Sequence, residues 1–176
     1  MSETVICLGL YGDVAVADRA LEAIKELGDG RHVNLHDAAV VVRGDDGTVD
    51  ISERTKHHGA ALGAIYGGAV GLFAVMVPPV GIAALAAGVV GGAVVGDVGS
   101  HLVRGLSEHE AKELGSLLSK GEVSLIVLTD GDSEATVLDV MDMAEEKVST
   151  TSKVSKQTLE DALEAARASG GSGTSA

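Results

Sequence analysis

The sequence predicts an α+β fold: a ferredoxin-like split βαβ sandwich with an inserted glycine-zipper α-helical hairpin. Three observations lead to this fold class. Strand and helix patterns form a βαβ unit on each side of the centre of the chain. Between the two units, residues 59–96 contain no charged residue and no histidine. A proline pair, Pro78-Pro79, divides that stretch into two arms of similar length.

The first half of the predicted domain, residues 1–56, has the pattern strand, helix, strand, strand. Thr4–Tyr11 is an apolar run rich in β-forming residues, which is typical of a buried strand. Asp13 is placed to cap the helix that follows, and Gly28 is placed to end it. A second strand comes next, and the turn signal Asp46-Gly47 predicts that the chain returns as a third.

The second half, residues 106–168, has the pattern helix, strand, helix, strand, helix. Ser107 and Glu110 have the spacing of a capping box, which marks the start of the first of these helices. A strongly apolar strand follows that helix, whereas residues 148–154 are polar and suit a strand at the edge of the sheet. The Gly/Ser-rich residues 169–176 are expected to form a disordered tail.

Residues 57–105 form the inserted segment, and its glycines recur at a helical spacing. Residues four apart lie on one face of a helix, so each arm would carry a glycine strip that another backbone can approach closely. Pro78 and Pro79 lack backbone donors and mark the turn between the arms. We expect an antiparallel helix pair that projects from the domain and has a core of its own. The predicted helix-packing residues are Gly59, Gly63, Gly67, Gly71, Gly88, Gly92 and Gly96.

Much of the chain, up to about residue 166, resembles a known protein family. The resemblance is carried by the run Leu106–Ala166, which contains Glu113-Leu114-Gly115 and residues 120–128. The segment Asp37-Ala38-Ala39-Val40-Val41 and the central glycine-rich hairpin fit the same pattern. These segments are similar to the bacterial and archaeal family called domain of unknown function 1269. The resemblance implies a membrane- or stress-associated protein without an assigned activity. It implies no catalytic residues.

Composition disfavours some classes of function. The formal net charge is −13, and this disfavours nucleic acid as a partner because phosphate binding needs clustered Lys and Arg. The single cysteine, Cys7, lies in an apolar run and is interpreted as a buried structural thiol. A lone cysteine forms no internal disulfide, which is compatible with the cytoplasm. The N-terminal residues lack the pattern of a signal peptide.

The sequence contains no pattern that predicts a catalytic, cofactor-binding or metal site. The glycine-rich stretch lacks both the dinucleotide-binding pattern and the phosphate-loop pattern. Asp130, Asp132 and Glu134 offer oxygen atoms to a cation, but the capping of a helix N-terminus explains these carboxylates more simply. The scattered serine and histidine residues form no nucleophile-elbow motif. We therefore predict that the protein is not an enzyme.

Polar residues flank the inserted hairpin at both ends. The three histidines among them would meet at one end of an antiparallel pair, where they would suit a metal site or a pH sensor. Ordinary polar residues at an interface are the simpler interpretation. Positive residues at both ends would keep those ends on the cytoplasmic side of a membrane. The flanking residues are Arg54, Lys56, His57, His58, His101 and Arg104.

An apolar helical hairpin must be buried somewhere, and this requirement predicts the function. The first hypothesis is homo-oligomerisation together with membrane association, at the cytoplasmic side of the cell membrane, with other copies of the chain and membrane lipid as partners. As a helix the first arm would measure about 28 Å, against about 30 Å of hydrocarbon. In the alternative, soluble cytoplasmic copies bury their hairpins in a shell or ring. A second alternative is a module that binds a small apolar ligand.

Overall fold

The computed structural model describes residues 3–45, 49–52, 68–77 and 92–170. Within them, the chain forms an α+β fold with one antiparallel five-stranded sheet and six helices. The strands are β1 (Glu3–Tyr11), β2 (Asp37–Arg43), β3 (Val49–Ile51), β4 (Val123–Asp130) and β5 (Glu146–Ser155). The helices are α1 (Val14–Asp29), α2 (Ala69–Met76), α3 (Gly92–Arg104), α4 (Glu108–Lys120), α5 (Glu134–Val140) and α6 (Lys156–Gly170).

The strand order is β3-β2-β4-β1-β5, so the two halves of the chain interleave in one sheet. β1 pairs with β4 along nearly its whole length, from Thr4 opposite Asp130 to Tyr11 opposite Val123. The connection through α1 passes over β4 to reach β2, and the connection through α5 passes over β1 to reach β5. Each crossover therefore skips one strand, and that strand belongs to the other half of the chain.

The central strands β1 and β4 are buried on both of their faces. All eight residues of β4 are buried, and every residue of β1 except Glu3 is buried. This double burial explains why both strands are continuous apolar runs in the sequence. β5 lies at the edge of the sheet and is mostly exposed or half-buried. The prediction of a polar edge strand is therefore confirmed.

One face of the sheet is covered by α1 and α5. Leu21 and Ile24 of α1 pack with Val5 and Cys7 of β1 in a single core cluster. The predicted cap of α1 is confirmed, because Asp13 Oδ1 accepts a hydrogen bond of 2.6 Å from the amide of Ala15. The helix ends at Asp29, one residue after the predicted end.

The other face of the sheet is covered by α2, α3, α4 and α6. Leu114 of α4 and Leu159 of α6 join Ile6 of β1 in the second core cluster. α4 begins at the predicted capping box: the hydroxyl of Ser107 accepts from the amide of Glu110, and the carboxylate of Glu110 accepts from the amide of Ser107. The fold therefore has three layers, with helices on both faces of the sheet.

The described part of the insertion belongs to this second core, and one expectation from the sequence is therefore wrong. Val70, Leu72 and Phe73 of α2 and Leu102 of α3 are buried in the same cluster as the sheet residues. The insertion does not have a separate core in these helices. An uncharged apolar helix suits a protein interior as well as a lipid phase, and hydropathy alone does not separate the two.

The two inserted helices also differ in length from the predicted arms. α2 ends at Met76 with Val77 as its C-cap, directly before the proline pair, where helices usually end. The uncharged stretch predicts that the second arm ends at Gly96, whereas α3 continues to Arg104. Within the described ranges, no helix has both the length and the apolarity needed to cross a bilayer.

Arg31, in the loop after α1, has a left-handed backbone with φ of 59°. This conformation lets the amide of Arg31 donate to the carbonyl of Gly28 and the amide of His32 donate to the carbonyl of Leu27. Both bonds satisfy carbonyls at the end of the helix. A residue with a Cβ adopts this conformation at a cost of about 1–2 kcal/mol, which glycine avoids.

We therefore expect Arg31→Gly to raise the free energy of unfolding by about 0.5–1 kcal/mol, after the greater flexibility of glycine in the unfolded chain is included. Urea unfolding followed by circular dichroism measures this change. Arg31→Ala is the control, since it removes the same side chain but keeps the Cβ. An equal gain from both variants would show that the backbone conformation is not the cause.

Candidate functional site

The N-terminus of α2 is held by a carboxylate from the sheet. Asp37 begins β2, and its buried Oδ2 accepts hydrogen bonds from the amides of Gly68 (3.0 Å) and Ala69 (2.9 Å). Its Oδ1 accepts from the amide of Ala38 at 2.9 Å. A carboxylate at this position satisfies unpaired helix amides and interacts favourably with the helix dipole. Because the N-cap residue Gly68 has no side chain, Asp37 supplies the cap from another part of the chain.

α2 and α3 contact each other through their backbones at two glycines. A Cβ on Gly99 would collide with the carbonyl group of Gly71 and would lie 2.7 Å from the amide nitrogen of Leu72. Gly71 is one of the predicted packing residues. Gly99 was not predicted, because it is three residues after Gly96 and falls outside the four-residue period. The contact lies within one molecule, and both glycines are buried.

α2 and α3 run antiparallel across the second face of the sheet. α2 begins where a Cβ on Gly68 would lie 2.6 Å from a methyl group of Leu128, near the end of β4. α3 ends near the end of β5, where the hydroxyl of Ser152 donates to the carbonyl of Leu102 at 2.9 Å. The ends of β4 and β5 lie on the same side, because both pair with the start of β1. Consequently, the C-terminus of α2 and the N-terminus of α3 both point toward the opposite end of the sheet.

The Gly71–Gly99 contact defines the register of the helix pair. In the sequence, residue 85 lies midway between these two glycines. A hairpin that turned symmetrically at Pro78-Pro79 would instead place Gly71 opposite residue 86. The turn itself lies outside the described residues, so its predicted position at the proline pair stays a prediction.

The remaining predicted packing and flanking residues fall into two groups. His101 and Arg104 lie in the last turn of α3, where His101 is half-buried and Arg104 is exposed. Gly92 and Gly96 lie in the same helix. The others lie outside the described residues: Arg54, Lys56, His57, His58, Gly59, Gly63, Gly67, Pro78, Pro79 and Gly88. The histidine cluster at the end of the hairpin therefore stays a prediction.

We expect Gly99→Ala to lower the free energy of unfolding by about 3 kcal/mol or more, because the new methyl group meets backbone atoms that cannot rotate away. Gly131→Ala is a matched control, since a Cβ there meets nothing within 4 Å, and we expect a change within about 0.5 kcal/mol. Chemical unfolding of both variants measures the difference. Equal stability of the two variants would mean that α2 and α3 separate at little cost.

Two ionisable side chains in the core under α1 and α5 are kept neutral by burial. Burial raises the pKa of the Cys7 thiol to about 12, and the negative charge of Glu134 adds to the shift. Burial also raises the pKa of Tyr11 to about 12, with a further contribution from Asp142. The thiolate is the reactive form of cysteine, so these surroundings do not suit Cys7 as a nucleophile. The prediction of a buried thiol is confirmed.

The three carboxylates considered as cation ligands have different surroundings. Asp130 is buried and accepts a hydrogen bond of 2.6 Å from the side-chain amide of Asn34. Glu134 accepts a hydrogen bond of 2.5 Å from the hydroxyl of Ser149, and Asp132 is exposed. Among the described residues, no group of three His, Cys, Asp or Glu side chains is arranged to hold a metal ion.

The pKa of Asp130 reflects two opposing effects. Burial raises this pKa, but the hydrogen bonds from Asn34 and Ser133 together outweigh burial and hold the pKa below its ordinary value of 3.8. A carboxyl group whose pKa is lowered by folding stabilises the protein above its unfolded pKa. That contribution is lost as the pH falls through the folded pKa.

We expect Asp130→Asn to lower the free energy of unfolding at pH 7 by about 1–3 kcal/mol, since one buried donor loses its acceptor. The difference from the unaltered protein should begin to shrink below about pH 4, where the carboxyl group of Asp130 takes up a proton in the unfolded chain, and should shrink further as the pH falls toward the lower pKa of the folded state. Urea unfolding between pH 3 and pH 7 measures both effects. Asp132→Asn is the exposed control, and it should change neither the free energy of unfolding at pH 7 nor its dependence on pH. A constant difference at every pH would contradict the assigned role of the Asp130 charge.

A cleft of about 360 Å³ runs along the outer edge of β5, and we call it the β5 cleft. α4 forms one wall and α5 the other, so the cleft extends across the edge from one face of the sheet to the other. Its lining residues are Glu110, Glu113, Leu114, Glu134, Val148, Ser149, Thr150 and Thr151. The edge strand could be predicted from the sequence but the cleft could not, because the walls of the cleft come from helices that lie apart in the sequence.

The β5 cleft is negatively charged. Three of its lining residues are glutamates, and none is basic. Hydrogen bonds from Ser107 and Thr150 hold the pKa of Glu110 below its ordinary value, so this carboxylate stays ionised at neutral pH. On the opposite wall, Glu134 is positioned by the hydroxyl of Ser149. The cleft therefore combines a strand edge that no other described strand covers with fixed negative charges on both sides.

No protein-family model, no curated protein and no solved structure matches the chain. The resemblance to domain of unknown function 1269 stays a prediction that rests on the segments quoted above.

Proposed function

We propose that this chain is a non-enzymatic, self-associating protein that contacts membrane lipid through its inserted apolar segment. The observation that carries the proposal is the antiparallel α2–α3 pair, tied to the sheet at Asp37 and closed at the Gly71–Gly99 contact. These contacts fix the positions of residues 77 and 92, which residues 78–91 connect in the sequence. That connecting sequence contains only apolar residues, glycine and proline.

The proposed body is a ferredoxin-like sandwich of two split βαβ units. In support of this, the order β2-β4-β1-β5 interleaves the two halves, and each crossover skips one strand. The inserted helices α2 and α3 then lie on the face of the sheet opposite the crossover helices α1 and α5. The proposed glycine-zipper character of the hairpin is supported by the backbone contact at Gly71 and Gly99.

The anchored helices limit how deeply the segment can enter a bilayer. Residues 78–91 must leave and return at the same end of the helix pair, so at most half of them can be used in each direction. Even when fully extended, seven residues reach only about 25 Å. This is less than the hydrocarbon thickness of about 30 Å. While α2 and α3 stay on the sheet, we expect these residues to act as an anchor in one leaflet, on the cytoplasmic side of the membrane.

The distribution of charge favours association through the same segment. The formal net charge of −13 lies entirely outside residues 59–96, so the charged parts of two copies repel each other. Gly71 is buried against α3 and offers no surface to a second copy. We therefore assign self-association to the uncharged connecting sequence rather than to the Gly71 face. A soluble assembly that buries this sequence between copies is the alternative.

The test replaces residues 80–90 with a Gly/Ser linker of equal length, which leaves α2, α3 and Asp37 unchanged. We expect the unaltered protein to float with phosphatidylcholine vesicles and to have the mass of an oligomer by light scattering. The linker variant should lose both properties and keep its unfolding midpoint. Met143→Ser is the control, since Met143 is a large exposed apolar side chain in the described part of the chain.

Each outcome distinguishes the hypotheses. An oligomer that stays in solution in the presence of vesicles would support the soluble assembly and contradict membrane association. A protein that is monomeric and does not bind vesicles would overturn both membrane association and the soluble assembly. If Met143→Ser lost vesicle binding and the linker variant kept it, the surface that contacts the membrane would be the loop before β5.

A further inference from the structure

Among the described residues, no strand pairs with the outer edge of β5, and the main-chain groups on that edge can be assigned. The amide of Arg43 donates to the carbonyl of Glu122 at 2.7 Å, which fixes the alternation of hydrogen bonds between β2 and β4. Antiparallel strands alternate their main-chain groups between the two neighbours, so the alternation continues through β4 and β1 into β5. It places the amides and carbonyls of Lys147, Ser149 and Thr151 on the outer edge.

The open part of this edge has a defined length. At one end, the amide of Lys153 donates to the carbonyl of Gly105 at 3.0 Å, so the loop between α3 and α4 closes the edge there. Lysines often protect edge strands from pairing with other chains. Here the ammonium group of Lys147 turns back onto α5 and donates to the carbonyl of Leu138 at 2.8 Å. Within the described part of the chain, residues 147–151 are therefore left open to a partner strand.

We infer that the β5 cleft binds an extended, lysine- or arginine-bearing segment of another protein, which adds a strand to the sheet. The main-chain groups of Ser149 and Thr151 pair with the segment, as in other cases of strand addition. Side chains of an extended segment alternate between two faces. A basic side chain on one face meets Glu134, and one on the other face meets Glu110 and Glu113. This inference does not depend on the proposed membrane contact.

Charge favours a basic partner over a second copy of this chain. Pairing of β5 with β5 of another copy would bring the glutamates of both clefts together along one edge. Like charges that face each other across paired strands are destabilising. Each copy also carries a formal net charge of −13, which slows their approach. A basic segment has the opposite charge, so it is repelled neither by the glutamates of the cleft nor by the net charge of the protein.

The probe is a fluorescent acetyl-(Lys-Val)4-amide peptide, whose binding to the full-length protein is measured by fluorescence anisotropy. We expect a peptide with Glu in place of Lys not to bind. The same Lys-Val peptide with every amide N-methylated keeps its charge but loses its hydrogen-bond donors. We expect its affinity to be at least tenfold lower. Equal affinity for the methylated and unmethylated peptides would overturn strand addition.

Two variants test the protein side of the contact. Thr151→Pro removes an outward amide at an exposed edge position and should weaken binding at least tenfold. Glu113→Lys reverses a charge in the cleft and should weaken binding more than Glu26→Lys, which makes the same change on the exposed surface of α1. Equal losses in the two lysine variants would mean that net charge alone attracts the peptide and would overturn the site.

Two further measurements keep the result interpretable. Circular dichroism shows whether Thr151→Pro is folded. If this variant is unfolded, the methylated peptide and the matched lysine variants still test strand addition at the β5 cleft. The mass of the unaltered protein is measured without peptide. A dimer that dissociates in Thr151→Pro would show that a second copy covers the edge and would overturn the inference.

Discussion

The position of the inserted segment depends on one buried carboxylate. Asp37 is the first residue of β2, and its oxygens accept hydrogen bonds from three backbone amides, two of them at the start of α2. A buried charge is costly unless such donors surround it, and the amides would be costly if the carboxylate were absent. The same residue therefore fixes the start of a strand and the start of a helix. Through it, the insertion becomes part of the second core.

Those elements that follow from local patterns could be predicted from the sequence. β1 and β4 are continuous apolar runs because both of their faces are buried, and α4 begins at a capping box made within four residues. β5 is polar because its outer edge and much of its surface meet solvent. In each case, the residues that determine the structure are close together in the sequence.

The features that were not predicted depend on contacts between distant residues. Asp37 caps a helix that starts at Ala69, and Gly99 is constrained by the carbonyl of Gly71. Periodicity within one segment carries no information about which distant partner it meets. The apolar insertion showed the same ambiguity, because alanine, valine and leucine pack equally well against a sheet or against lipid. The β5 cleft was missed because its two walls meet only after the sheet has formed.

The interleaved strand order has a consequence for the synthesis of the chain. β2 and β1 have no common neighbour until β4 is made, and β4 follows the insertion in the sequence. A nascent chain that ends before residue 123 therefore contains the entire apolar stretch without the central strand of the sheet that covers α2. Such a chain exposes apolar surface that is prone to aggregation during translation. Completion of the sheet depends on contacts of long sequence separation, which form slowly. We therefore expect the chain to be prone to aggregation on the ribosome until β4 has been made.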